Sequence, residues 1–350
     1  MKQVKTVFLI VGTIIGAGFL SGKEIVTFFA KYGCYSYIFI PLMFVMFYLL
    51  FYKLLYIGSK HNIDNINTLN YLIFKKQNKL INLFSFISFI ILSSTMISAI
   101  PTALNFKLFS IELIVTLLFI TIIMCIVLYY DISSIMDICT FAIPIILTIL
   151  TIVCFCNVSN IIIIEVSNIV LLPYSIISDV CRNVFLSYFI ISKSSYGLTK
   201  KQCKQISFFS SLILCGFTSL IITTLLSNPY VFNSSMPLLS LSANNQILYI
   251  FFFVCLLFAV LTTLISTLFT LKSFFNFKIK ALNNIVPVFI CIILSVIKFD
   301  YFIAYLYPII GMFGFYLIFY LISFNSPFQN SNKNIHQTSN NAKNNRTGHN

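Results

Sequence analysis

Charged side chains are scarce in this 350-residue chain. They make up 9% of it, and only eight are acidic, whereas soluble domains carry about 25%. A water-soluble fold could not hide the 59% of residues that are apolar or aromatic, so cytosolic enzymes, nucleic-acid binders and disordered chains are excluded. Histidine occurs three times, and His61, His336 and His349 all fall outside the apolar runs. The metalloprotease HExxH, the GxSxG elbow, paired catalytic carboxylates and the phosphate-binding GxxxxGKS/T loop are all missing, so no enzymatic activity is expected. The ten cysteines include no CxxC pair, and Cys154-x-Cys156 has no histidine nearby. They read as small apolar fillers, and neither a metal nor an organic cofactor is expected. The first apolar run continues well beyond a short signal-peptide core, so no cleavable leader is expected.

What the chain has is long apolar segments. A spanning helix needs about 20 mainly apolar residues, and ten candidates follow one another: Val4–Phe29, Ser36–Tyr56, Ile81–Ala103, Phe109–Tyr130, Ser134–Phe155, Ser175–Ser192, Ile206–Leu226, Ile247–Leu271, Ile285–Ile297 and Tyr301–Phe324. The sixth carries charge and the ninth is short. Asn325–Asn350 is rich in Asn, Ser and Lys and reads as a disordered tail. The expected fold class is therefore all-α, a polytopic membrane domain over residues 1–324 with the tail at 325–350. The net charge of +14 fits this reading, since Lys and Arg accumulate in cytoplasmic loops. Ten spans put 17 of the 22 basic residues on one side and three on the other, with Lys23 and Arg182 inside spans. That asymmetry places both termini in the cytoplasm and the chain in the cell membrane, with the lipid bilayer as its partner and no nucleic acid.

Glycine is rare too, yet Gly12, Gly16, Gly18 and Gly22 crowd into the first span. Each interior glycine costs a helix about 1 kcal/mol relative to alanine. Close helix packing explains the Gly-xxx-Gly spacing. It does not explain Gly16-Ala17-Gly18 followed by Ser21, Lys23 and Glu24. A helix broken at mid-membrane frees backbone groups that lipid cannot satisfy, so a break implies a polar cavity or a ligand.

The stretch Gly12-Thr-Ile-Ile-Gly-Ala-Gly-Phe19, then Ser21-Gly-Lys-Glu24, resembles the signature of the YkvI-like bacterial membrane proteins, a branch of the amino acid–polyamine–cation transporter superfamily. Ser235-Met-Pro237 loosely resembles that family's extracellular Ile-Pro-Met region. Leu261-Thr-Thr263 fits the paired hydroxyls of its eighth helix. Tyr305-Leu-Tyr-Pro308 with Gly311 and Gly314 resembles its tenth helix. The resemblance covers the ten spans but not the tail. It implies the leucine-transporter fold: two inverted five-helix repeats, here about 4–155 and 175–324, with helices one and six interrupted around a substrate site. The implied function is secondary transport of an amino acid or similar amine-carrying solute by alternating access, coupled to Na+ or H+. The alternative is a solute-binding receptor subunit similar to the permease-like spore germination proteins, without net transport.

These expectations name residues. Gly16, Ala17, Gly18 and Phe19 at the break, with Asp179, Arg182 and Asn183 of the sixth span, are the candidate substrate contacts. The family has Tyr-Asn where Arg182-Asn183 stands, and no Gly or Pro lies between Pro173 and Gly197 to open that helix. Asp179 and Arg182 are three apart, so they share a helical face and can neutralise each other. A pair at the membrane edge would look the same in sequence. Thr262, Thr263 and Ser266, with carbonyls at Gly16, could hold a bound Na+; ordinary helix-to-helix hydrogen bonding uses the same residues. Gly22 would end the break, and Glu24 would cap the following half-helix, where the dipole favours a carboxylate.

Overall fold

A computed structural model describes residues 2–74, 78–104, 131–162, 169–275 and 282–323. The predicted fourth span, Phe109–Tyr130, and the tail lie outside the described residues, as does Cys125. Every regular element among the described residues is helical, as apolar surroundings require of a chain that must satisfy its backbone groups internally.

The first predicted span is three helices: α1 (Lys2–Ile14), α2 (Ala17–Leu20) and α3 (Lys23–Phe28). A 3-10 segment, Ala30–Phe39, leads into α4 (Ile40–Lys60). Then come α5 (Ile66–Phe74), α6 (Asn78–Ala103), α7 (Ile132–Asn157), α8 (Leu172–Ser194) and α9 (Lys200–Ser227). The short α10 (Pro237–Ser242) precedes α11 (Gln246–Lys272), α12 (Leu282–Leu294) and α13 (Phe299–Ser323). Seven of these elements are long and apolar enough to cross a membrane, ending in Lys60, Ala103, Asn157, Ser194, Ser227, Lys272 and Ser323. The described part of α12 has 13 residues, fewer than the roughly 20 of a full span. The protein is thus a polytopic helical membrane protein. Its outer helices turn Ile38, Phe141, Phe155, Phe319 and Ile322 outward, which suits lipid and would be a liability in water.

The expectation that helix six is interrupted is wrong. α8 runs unbroken for 23 residues. Pro173 sits in its first turn, where a missing N–H costs nothing, and Gly197, at φ 78°, lies beyond its end. Nothing between them opens the backbone, and within α8 Asp179 accepts from the side chains of Arg182 and Asn183. A π turn over Phe302–Leu306 in α13 precedes Pro308, which cannot donate to the carbonyl of Ala304.

α8 is buried on nearly every face and sits at the centre of the bundle. Glycines admit its neighbours. A β-carbon on Gly311 would stand 2.1 Å from Ser178 Oγ, and one on Gly314 would stand 2.3 Å from the Cys181 carbonyl. On the α4 side, a β-carbon on Gly58 would fall 1.8 Å from the Ser192 carbonyl. Backbone-to-backbone approach of this kind is how helices associate where no hydrophobic effect drives them together. α8 is thereby clamped from two sides. Of the cysteines, Cys34 and Cys156 are exposed, so they are not interior fillers as expected; the other described ones are buried.

The two ends of the bundle differ. At one end, Lys2 Nζ donates to the Tyr196 carbonyl (2.6 Å) and Lys193 Nζ to the Asp64 carbonyl (2.8 Å). A cavity of about 460 Å³ there is lined by Asp64, Asp131, Lys193 and Lys272 among others. At the other end, Lys23 faces Asp300 (3.6 Å) and donates to the Ser234 carbonyl at 2.8 Å. Lys23 therefore pairs with α13 and not with its neighbour Glu24.

Candidate functional site

The first break follows Ile14. Gly16 adopts an extended conformation, and the carbonyls of Gly12 and Ile15 accept from Thr263 Oγ1 of α11 at 3.2 and 3.4 Å. Thr13 Oγ1 lies 3.4 Å from Ser266 Oγ. Thr262 instead donates to Ala259 within its own helix (3.1 Å), so of the three hydroxyls named for an ion only Thr263 and Ser266 reach the broken span. A β-carbon on Gly16 would come within 3.0 Å of both Thr263 Oγ1 and Met96 Sδ. Met96 also takes the freed N–H of Ala17 at 3.4 Å, a partner that sequence reasoning missed.

The second break is at Ser21-Gly22. Gly22 has φ 82°, a left-handed conformation that glycine adopts without a steric penalty. The Ser21 carbonyl accepts from the Leu238 N–H of α10 (2.8 Å). The Ser235-Met-Pro237 segment thus leads into a small helix whose N-terminus fills the gap. Every freed group named here has a protein partner, as burial demands. Phe19, between the breaks, is buried.

Beneath α2 and α3 lies a cluster of charge. Arg182 Nη2 donates to Asp179 Oδ1 at 2.5 Å and to Glu24 Oε2 at 2.8 Å. Asn183 Nδ2 donates to Asp179 Oδ2 at 3.1 Å. The Arg182 guanidinium lies 4.2 Å from the Tyr307 ring and 5.5 Å from that of Phe28. All three ionisable side chains are buried, with Arg182 2% exposed and each carboxylate 5%. Arg182 Nε and Ser178 Oγ have no partner, and the Tyr307 hydroxyl lies beside Thr95 outside hydrogen-bonding geometry.

Asp179 and Arg182 pair as their spacing allows, and both are buried inside the bundle. Glu24 stands in the first turn of α3, where the capping role put it, but its carboxylate reaches across to α8. It does so over Gly18, where a β-carbon would stand 2.1 Å from Glu24 Oε1. Gly18 therefore faces the Glu24 side chain. The structure draws Gly16, Thr263 and Ser266 into one place and Gly18 of α2, Glu24, Asp179, Arg182 and Asn183 into another.

A broken first span held by neighbouring helices thus lies next to a buried charge cluster in a polytopic helical protein. No known family profile matches the chain. It is similar to a Bacillus subtilis (strain 168) protein described as uncharacterized membrane protein YkvI, with 36% identity over 92 residues. That stretch spans 26% of this chain and 26% of the relative, about a quarter of each. The match and the helices together support a YkvI-like membrane protein.

Proposed function

We propose that the protein is a secondary transporter of the leucine-transporter fold, with ten spans in two inverted five-helix repeats and both termini in the cytoplasm. On this reading it moves an amino acid or similar amine-carrying solute across the cell membrane by alternating access, coupled to Na+ or H+. The observation that carries the proposal is the doubly broken first span. α2 is a short helix set off from α1 at Gly16 and from the short α3 at Gly22, and a cluster of buried charge faces them. Lipid tolerates such a break only around a polar path or site, and half-helices at depth are a means of binding solutes there. α8 is continuous, so the moving parts in this proposal are α2 and α3 against a fixed α8. The basic end holding Lys2, Lys193 and Lys272 supports a cytoplasmic assignment for that side.

The experiment is uptake into proteoliposomes containing the purified protein. A mixture of radiolabelled amino acids would be offered with an imposed Na+ gradient, an imposed proton gradient, or neither. A thermal-shift screen of amino acids, amines and nucleosides selects the probe, since a ligand stabilises by RT ln(1 + [L]/Kd). Gradient-driven uptake supports the proposal. Binding without uptake would assign the protein to the receptor class, and neither binding nor uptake would overturn the reading.

A further inference from the structure

The charges of the buried cluster do not balance. Glu24 and Asp179 share one nitrogen of one guanidinium, so two ionised carboxylates would leave a net charge of −1 inside the bundle. Uncompensated charge away from water is strongly disfavoured, and a further cation must belong to the site. The packing limits what that cation can be. A void able to admit a hydrated ion or an ammonium group would leave these side chains accessible, yet they are 2% and 5% exposed. Tyr307 and Phe28 lie against the guanidinium, and Gly18 has room only for hydrogen beside Glu24 Oε1. A proton needs no such volume.

The hydrogen bonds indicate which carboxylate holds it. Asp179 accepts from both Arg182 (2.5 Å) and Asn183 (3.1 Å), whereas Glu24 accepts from Arg182 alone at 2.8 Å. Hydrogen bonds donated to a carboxylate favour its charged form, so Asp179 stays ionised. The other groups around Glu24 do not alter this assignment. Tyr307 approaches from α13 and is uncharged, and Lys23 of its own helix faces Asp300. In the 3-10 segment Lys31 lies over the Tyr32 ring and Tyr37 meets Thr223 of α9, so neither brings charge to Glu24.

We propose that Glu24 is a proton-binding site, protonated when α3 is closed on α8 and ionised when α3 moves away and water enters. The proton comes from the aqueous phase to which the site is open, and closure then traps it. Asp179 and Arg182 stay on the clamped α8 as a neutral pair, while Glu24 belongs to the short helix after the break. Resting on the transporter reading, this makes the proton the coupling ion.

The test is infrared spectroscopy of the full-length protein in lipid vesicles at neutral pH, with no solute added. A protonated carboxyl in apolar surroundings should give a resolved C=O stretch that shifts on transfer to D2O. Biosynthetic labelling with carboxyl-13C glutamate should move the band, and labelling with aspartate should leave it in place. The other two glutamates are Glu112 and Glu165, so Glu112→Gln and Glu165→Gln should both keep the band. Arg182→Gln, where it can be purified, should add a second band, because no cation then remains for either carboxylate. Absence of a band, or a band that moves with labelled aspartate, would overturn the assignment to Glu24. A band that does not shift in D2O would show that no proton reaches the site, refuting the exchange. These outcomes do not depend on flux. A band with no uptake of any solute would count against the transporter reading and leave the protonated glutamate standing.

Discussion

Replacing Gly18 with alanine tests whether this glycine makes room for Glu24. The new β-carbon would lie 2.1 Å from Oε1 and 2.6 Å from both Cδ and Cγ of Glu24. No adjustment of a few tenths of an ångström relieves that, so the side chain must leave and the 2.8 Å bond to Arg182 breaks. A hydrogen bond to a charged group contributes about 1.5–3 kcal/mol. Alanine in place of glycine returns up to about 1 kcal/mol of helix propensity in α2, so the net loss should be about 1–2 kcal/mol. In a Glu24→Ala background the clash is gone, and Gly18→Ala should be neutral or slightly stabilising. The predicted coupling between the two sites is therefore about 1.5–3 kcal/mol, within the range for residues in contact. Reversible unfolding in mixed micelles, followed for all four members of the cycle, measures it. Effects that simply add, or a Gly18→Ala variant as stable as the parent, would refute the proposed packing of Glu24 over Gly18.

The cluster should respond unequally to loss of its members. Arg182→Gln leaves two buried carboxylates and should cost about 3–5 kcal/mol, whereas Asp179→Asn leaves the Glu24–Arg182 pair and should cost about 1–3 kcal/mol; equal losses in the same unfolding assay would contradict the shared guanidinium. Gly314→Ala drives a β-carbon to 2.3 Å from the Cys181 carbonyl and should destabilise by about 1–3 kcal/mol through overpacking. Gly216→Ala in α9 meets nothing within 4 Å and should be neutral or gain up to about 1 kcal/mol, so a thermal-stability comparison showing no difference between the two would remove the glycine clamp. Thr263→Val loses the hydroxyl that bonds the Gly12 and Ile15 carbonyls and should destabilise by about 0.5–1.5 kcal/mol in the same unfolding assay, while Thr262→Val, whose hydroxyl bonds only its own helix, should cost less. Reporter fusions after Lys60 and Lys201 should read cytoplasmic and a fusion at Asn233 external; a cytoplasmic signal at Asn233 would break the ten-span topology.

How far the site could be read from sequence depended on the distance between partners along the chain. Asp179 and Arg182 are one helical turn apart, so their pairing follows from periodicity alone. Glu24 lies 158 residues from Arg182, and periodicity assigns a residue to a face without naming what meets that face. The first span shows the same limit. Its glycines announced a break, yet each has a separate use. Gly12 meets Ile143 and Cys139, Gly16 meets Thr263 and Met96, Gly18 lies under Glu24, and Gly22 turns left-handed. The break expected in helix six came from the family resemblance, while the lack of Gly and Pro between Pro173 and Gly197 already spoke against it. What stands in place of that break is the charge cluster, and its composition carries the remaining inference. A chain with only eight acidic residues sets two of them on a single buried arginine. One carboxylate would neutralise Arg182 and hold the core together. The second lies on the short helix beyond the break, where gaining or losing a proton changes whether that helix can stay closed.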